Sequence, residues 1–245
     1  MAVPILQLKR ISKRFGDKIV HQGIDLTVTQ GEVLTLIGGS GSGKSVLLRS
    51  LIGLDRLDSG EILFHGKDIA HYSEQALIPI RKRIAYVFQY GALFDSFSVF
   101  DNVAYPLREH TPLTEGQIRN KVIQALSSVG LEGSESLFPA DLSGGMQRRV
   151  GVARSIVLEP EVILYDEPTT GLDPYNTRQI VLIIEQLKSR GATSVLVTHD
   201  MSTIFRVSDR IALLKDGKIY AVGSRESIRN SDDENIRCFI NGEKM

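Results

Sequence analysis

The run Gly38-Gly39-Ser40-Gly41-Ser42-Gly43-Lys44-Ser45 can wrap a polyphosphate. A triphosphate is held by several N–H donors converging on its oxygens, and glycine lets the backbone close that tightly. The apolar run Val33–Ile37 before the loop reads as a buried strand, and a helical pattern begins at Lys44. The loop would therefore open a helix, whose positive end favours an anion. Gly38, Ser40, Gly41, Ser42 and Gly43 would form the cradle, Lys44 would reach the β- and γ-phosphates, and the Ser45 hydroxyl would bind Mg²⁺.

Asp166 ends a second apolar strand pattern, Val162-Ile163-Leu164-Tyr165. A carboxylate there is costly unless a cation satisfies it, and Mg²⁺ would do so. Glu167 follows and can orient and deprotonate a water attacking the γ-phosphate. Gln89 follows the strand candidate Ile84–Phe88, where a neutral amide can contact Mg²⁺ or the lytic water without adding charge. His199 ends the pattern Val195-Leu196-Val197-Thr198 and could reach the same phosphate. In isolation, Gln89 also reads as a surface glutamine and His199 as a structural histidine. Ser143 can cap a helix carrying Gln147, Arg148 and Arg149, and Gly144 and Gly145 would keep that helix start clear for a phosphate.

These residues need elements to hold them. Residues 5–37 read as short strands broken by Gly and Asp, and Glu61–Phe64 as another strand. From about 90 to 158 the signal is helical. Thr114-Glu115-Gly116-Gln117 has capping-box spacing, and Ile118, Val122, Leu126 and Val129 follow at helical intervals before Gly130. Asp173-Pro174 starts a helix that Gly191 ends. Ile211–Leu214 and Ile219–Val222 flank an Asp-Gly turn, the pattern of a hairpin. The expected fold class is α/β: a mostly parallel sheet covered on both faces, interrupted by a helical lobe.

Composition narrows the function class. The 245 residues are 42% apolar and 24% charged, with 29 basic and 29 acidic side chains. This is a globular composition with no net positive field for nucleic acid. Cys238 is the only cysteine, so no intrachain disulfide can form and a reducing compartment is expected. No apolar run approaches the ~18 residues of a membrane span and no signal peptide is visible, so a partner would hold the chain at a bilayer.

The motifs together resemble the ATPase subunits of ABC transporters. The phosphate loop at 38–45, Gln89, the signature Leu142–Gln147, Asp166-Glu167, Gly171-Leu172-Asp173 and His199 occur in that family's order. The resemblance implies a RecA-like P-loop NTPase core with an antiparallel β lobe, the ATPase domain covering 1–223 and a tail covering 224–245. It implies ATP and Mg²⁺ as cofactors and Phe15 as the ring stacked on adenine. It also implies a head-to-tail homodimer, in which Ser143, Gly144 and Gly145 of one chain meet ATP on the other and Asp173 lies in the D-loop.

Seven of the sixteen aromatics lie between Tyr86 and Tyr105. Most are expected to fill the helical lobe, and some to form a socket for a permease helix. The wording Gly91-Ala92-Leu93-Phe94-Asp95-Ser96, then Pro106-Leu107-Arg108-Glu109, and the tail are similar to Mla-type phospholipid transport ATPases of Gram-negative envelopes. That likeness implies a permease, a periplasm-facing MCE-type lipid-binding protein, a small STAS-domain protein, and a place on the cytoplasmic side of the inner membrane. Another cargo (amino acid, metal or lipoprotein) and a soluble, non-transport ABC ATPase are the alternatives. Ile236, Phe239 and Ile240 are expected to anchor the tail on the opposite subunit or a partner.

Overall fold

β1 (Pro4–Phe15) and β2 (Lys18–Thr29) form a long antiparallel hairpin, not the short strands suggested by their Gly and Asp residues. Those residues sit at irregularities in the pairing. The register shifts between Leu8 and Ile11 and again between Ile11 and Ser12. There the Ser12 hydroxyl accepts from the Gly23 N–H at 3.2 Å, and the Asp25 carboxylate accepts from the Arg10 N–H at 3.0 Å. Bulges absorb such residues without ending a strand. With β4 (Ser59–Phe64) and β5 (Lys67–Asp68) the hairpin makes a four-stranded antiparallel lobe. The structure, a computed structural model, describes residues 3–243.

The central sheet runs in the order β10-β9-β3-β8-β7-β6. Its strands are β3 (Val33–Ile37), β6 (Ile84–Val87), β7 (Val162–Asp166), β8 (Thr193–Val197), β9 (Arg210–Lys215) and β10 (Lys218–Ser224). All pairs are parallel except the β9–β10 hairpin. Every residue of β3, β6, β7 and β8 is buried, as a parallel sheet covered on both faces requires. The hairpin turns on Asp216 and Gly217, both left-handed. This is an α/β fold of the P-loop NTPase type.

Helices connect the parallel strands. α1 (Lys44–Leu51) follows the phosphate loop, and α6 (Pro174–Ser189) starts at an Asp173 cap with proline in its first turn, as the Asp-Pro pair predicts. α7 (Met201–Val207) joins β8 to β9. α2 (Glu74–Arg83) has no counterpart in the sequence reading; it contains Pro79 and is capped by Ser73. The lobe inserted between β6 and β7 holds α3 (Val99–His110), α4 (Glu115–Ser128) and α5 (Gly144–Ile156), with a short 3-10 turn at Pro139–Asp141. α4 opens with the expected Thr114–Gln117 capping box.

The aromatics before and within α3 do not mostly fill this lobe. Tyr86 is buried, but Phe88, Tyr90, Phe94 and Tyr105 are exposed. Asn102 is fully buried and binds the backbone of the loop before α3 with its whole amide. Asn102 Oδ1 accepts from the Phe94 N–H at 2.9 Å, and its Nδ2 donates to the carbonyls of Phe94, Phe97 and Ser98. Fixed in this way, the rings of Phe94, Phe97 and Tyr105 cluster outside the lobe, with centroids 5.1–6.0 Å apart.

The tail forms α8 (Arg225–Arg229) and α9 (Glu234–Asn241). Its apolar residues pack on their own chain. Ile228 and Ile236 join a buried cluster with Ile37, Ile204, Ile211 and Leu213, and Phe239 and Ile240 lie against it. Within the chain only Ile236 is buried, while Phe239 and Ile240 keep part of their surface open, and a short helix is stable chiefly through such packing. Ile236→Ala is expected to destabilise the isolated chain by about 2–4 kcal/mol, read from denaturant melts. An unchanged melt would return the anchor to another chain.

Candidate functional site

The phosphate loop joins β3 to α1 through backbone that demands glycine at both ends, Gly38 and Gly43. Gly43 caps α1 with φ +99° and no capping side chain. A Cβ on Gly38, at φ +154°, would lie 2.3 Å from the Leu214 carbonyl oxygen. Lys44 Nζ donates to the carbonyls of Gly38 (2.8 Å) and Gly39 (3.0 Å), across the mouth of the loop. Burial lowers the pKa of its ammonium, against the opposing pull of Glu167 and Asp166. Ser42 Oγ is buried with no partner among the described residues. A phosphate oxygen would satisfy it.

The loop forms one wall of a cleft of about 440 Å³. Phe15, Lys18 and Val20 from the β1–β2 hairpin face Gly38, Ser40, Gly41, Gly43, Lys44 and Ser45, with Glu167 and His199 at the far side. Phe15 is exposed, and Lys13 Nζ lies 4.6 Å over its ring.

Beneath the loop, Asp166 is buried and fully engaged. Its Oδ1 accepts from Ser45 Oγ at 2.7 Å and its Oδ2 from the Tyr86 hydroxyl at 2.7 Å. Sequence reasoning missed Tyr86, because nothing in its own strand marks it as a partner of a carboxylate on the next one. Burial, and then Asp166, push the Tyr86 phenol far above its usual range, so it remains a donor.

Glu167 adopts φ +50°, a left-handed conformation rare for any residue but glycine and asparagine-like ones. The turn is held by its own N–H, which donates to the Val197 carbonyl at 2.9 Å. Glu167 Oε2 accepts from Thr170 Oγ1 at 2.9 Å and lies 2.9 Å from His199 Nδ1. The carboxylate is thus aimed from two sides, and strain of this kind gathers at functional sites. Thr170, which the sequence reading passed over, belongs to this arrangement.

Gln89 does not line the cleft; it is half-buried just past β6, whose partner β7 ends in Asp166. The segment after it is locked to α5. Gly91 packs on Gly151 so closely that a Cβ on Gly151 would lie 2.9 Å from Gly91 Cα. Arg154 donates to the carbonyls of Gly91 (2.9 Å) and Ala92 (2.8 Å).

The signature residues are also outside this chain's cleft. Ser143 caps α5, accepting from the Met146 N–H at 3.2 Å, and Ser143 and Gly144 are exposed. Gly145 departs from expectation: it is buried, and a Cβ there would lie 2.0 Å from Asn176 Oδ1. Its missing side chain serves packing against the start of α6 and leaves Gly144 as the open glycine. Asp173 holds that same Asn176, accepting from its N–H at 3.0 Å and from its amide. These bonds hold the Asp173 carboxyl below the usual range. From the next turn of α5, buried Arg148 donates to the carbonyls of Glu167 (3.4 Å) and Thr170 (3.1 Å). The signature helix therefore grips the turn that carries Glu167.

The structure thus brings together the loop, Asp166, Glu167, His199 and Phe15, and keeps Gln89, Asp173 and the signature apart from them. The ABC transporter family model matches residues 21–170, from the hairpin through the phosphate loop to Thr170. The chain belongs to the ABC transporter family. ABC cassettes bind and hydrolyse ATP, and this chain is an ATPase of that kind. It is 40% identical over 98% of its length, and 91% of the relative's, to the intermembrane phospholipid transport system ATP-binding protein MlaF of Haemophilus influenzae. It is 42% identical over 98% of its length, and 70% of the relative's, to a protein of Mycobacterium leprae named as a probable ribonucleotide transport ATP-binding protein. Among solved structures, a dimeric ATP-binding cassette in a post-hydrolysis state with ADP and Pi matches 90% of this chain and 98% of its own. The TM-score is 0.83 at 30% identity.

Proposed function

We propose that this chain is the ATPase of a phospholipid transporter, acting as a head-to-tail homodimer beneath transmembrane permease subunits. The observation that carries the cargo is the 40% identity to the Haemophilus influenzae phospholipid transport protein across nearly the whole of both chains. Head-to-tail pairing draws support from the exposed Ser143 and Gly144, which do not line their own chain's cleft, and from the dimeric relative. In that arrangement each ATP lies between the loop of one chain and Ser143, Gly144 and Gly145 of the other, and Asp173 sits near the join.

Within one site, Phe15 stacks on adenine, the loop N–H groups and Lys44 bind the phosphates, and Glu167 takes the proton from the attacking water. Thr170 and His199 hold the Glu167 carboxylate in position, and His199 contacts the γ-phosphate. Ser45 Oγ and Asp166 Oδ1, two hard oxygen ligands 2.7 Å apart, fit Mg²⁺, and Gln89, outside the cleft, would have to swing inward to add its amide oxygen. When bound, the ion supplies charge neutralisation on the phosphates. Hydrolysis separates the two chains and resets the cycle.

No helix among the described residues is long and apolar enough to cross a membrane. The chain is peripheral, on the cytoplasmic side of the inner membrane, with the Phe94–Phe97–Tyr105 cluster as part of the permease socket. An MCE-type lipid-binding protein and a STAS-domain protein complete the assembly. Copurification with the membrane partners and mass spectrometry of the bound molecule is expected to return phospholipid. A ribonucleotide, the cargo in the Mycobacterium leprae relative's name, would overturn the lipid reading and leave the ATPase intact.

A further inference from the structure

Directly under the phosphate loop lies a histidine to which the chemistry above gives no part. His21, on β2, is 1% exposed. Its Nε2 is 3.0 Å from the Gly43 carbonyl oxygen. A carbonyl only accepts, so Nε2 carries the hydrogen. The other nitrogen, Nδ1, is buried without a partner among the described residues. That combination describes a neutral ring with one hydrogen, on Nε2. Burial lowers the imidazole pKa, and this outweighs the bond to Gly43 and the pull of Asp55, which raise it. Lys13, its cross-strand neighbour on β1, adds to the lowering, while Asp55 is itself paired with Arg49 at 2.7 Å.

The carbonyl that His21 holds has a particular place. It belongs to Gly43, the left-handed cap of α1, and it also accepts the first helical bond, from the Leu47 N–H at 2.9 Å. Val20 and His21 approach Gly43 so closely that a Cβ there would lie 2.5 Å from Val20 Cγ1 and 2.7 Å from His21 Nε2. The hairpin strand therefore braces the turn at which the loop becomes a helix. That turn places Lys44 and Ser45, the first residues of α1, against the cleft, where the free N–H groups of a helix start favour an anion.

We propose that His21 is a positioning residue for ATP: its Nε2–H fixes the Gly43 carbonyl, and through it the orientation of the phosphate-binding N–H groups. The inference rests on the reading of residues 38–45 as the ATP loop, and it extends that site to the β1–β2 hairpin, which also supplies Phe15.

The chemistry of the bond sets the test. A glutamine amide nitrogen can occupy the place of Nε2, whereas an asparagine amide matches Nδ1 and falls short of Gly43. ATP is titrated calorimetrically into the full-length chain and its variants. His21→Gln should bind within about twofold of wild type, while His21→Asn and His21→Leu should weaken binding about five- to tenfold, the range of one neutral hydrogen bond. Thermal melts identify the folded variants. Wild-type affinity in folded His21→Asn and His21→Leu would overturn the proposal. Lys44→Ala is measured alongside. If it binds ATP normally, the loop reading fails; if it loses ATP while the His21 variants do not, only the role of His21 fails. Nitrogen NMR of the imidazole in the unsubstituted chain needs no variant to fold. The Nε2–H tautomer, with a resonance that moves on adding ATP, is expected; an Nδ1–H tautomer or an imidazolium at neutral pH would refute the proposal.

Discussion

Glu167→Gln is expected to retain ATP binding, to lose about two to four orders of magnitude in turnover, and to accumulate as a nucleotide-bound dimer. The geometry isolates the base function. Glu167 is held by its backbone N–H on Val197 and by Arg148 on its carbonyl, and neither contact involves the side chain. A glutamine keeps an oxygen that can accept from Thr170 Oγ1 or His199, so the shape of the site survives. What it lacks is the negative charge, and with it the basicity, that takes a proton from water. ATPase assays beside gel filtration with and without ATP read both halves of the result. Turnover near that of the wild type would remove Glu167 from the role of base and leave water activation to another group.

Mixing Lys44→Ala chains with Ser143→Arg chains should restore activity that neither has alone. Lys44 lines its own chain's cleft, whereas exposed Ser143 does not. In a head-to-tail pair, one composite site then carries both substitutions and the other carries neither. With random pairing half the dimers are mixed and each has one intact site, so about a quarter of wild-type activity returns. Absence of recovery between folded chains that do pair would refute the shared site, and activity in Ser143→Arg alone would show that the signature lies outside it.

Much of the site was legible because its pieces are contiguous. The loop at 38–45, the Asp173-Pro174 helix start and the Thr114–Gln117 capping box each encode their conformation within a few residues. The turn at Asp216-Gly217 does the same, since left-handed backbone and cap bonds are local demands. The tail shows the opposite case. Ile236, Phe239 and Ile240 stand out as apolar in a polar tail, yet spacing alone could not say that Ile236 would join Ile204, Ile211 and Leu213 of the same chain, with Phe239 and Ile240 half-buried against them.

By itself the sequence determined the class of chemistry: a phosphate loop, a strand-end Asp-Glu pair, a later histidine and a capped glycine helix start, in one order. Only the tertiary structure decided which of these meet. It brought Ser45 to Asp166 and gave Asp166 a second donor in Tyr86. It set Thr170 and His199 on one oxygen of Glu167, put His21 under Gly43, and left Ser143 facing outward. The physical reason is the range of the interactions. Backbone preference and capping act over a few residues and leave a pattern in the chain, whereas these contacts arise where parallel strands distant in sequence pack side by side, and no local periodicity records which side chains will face each other.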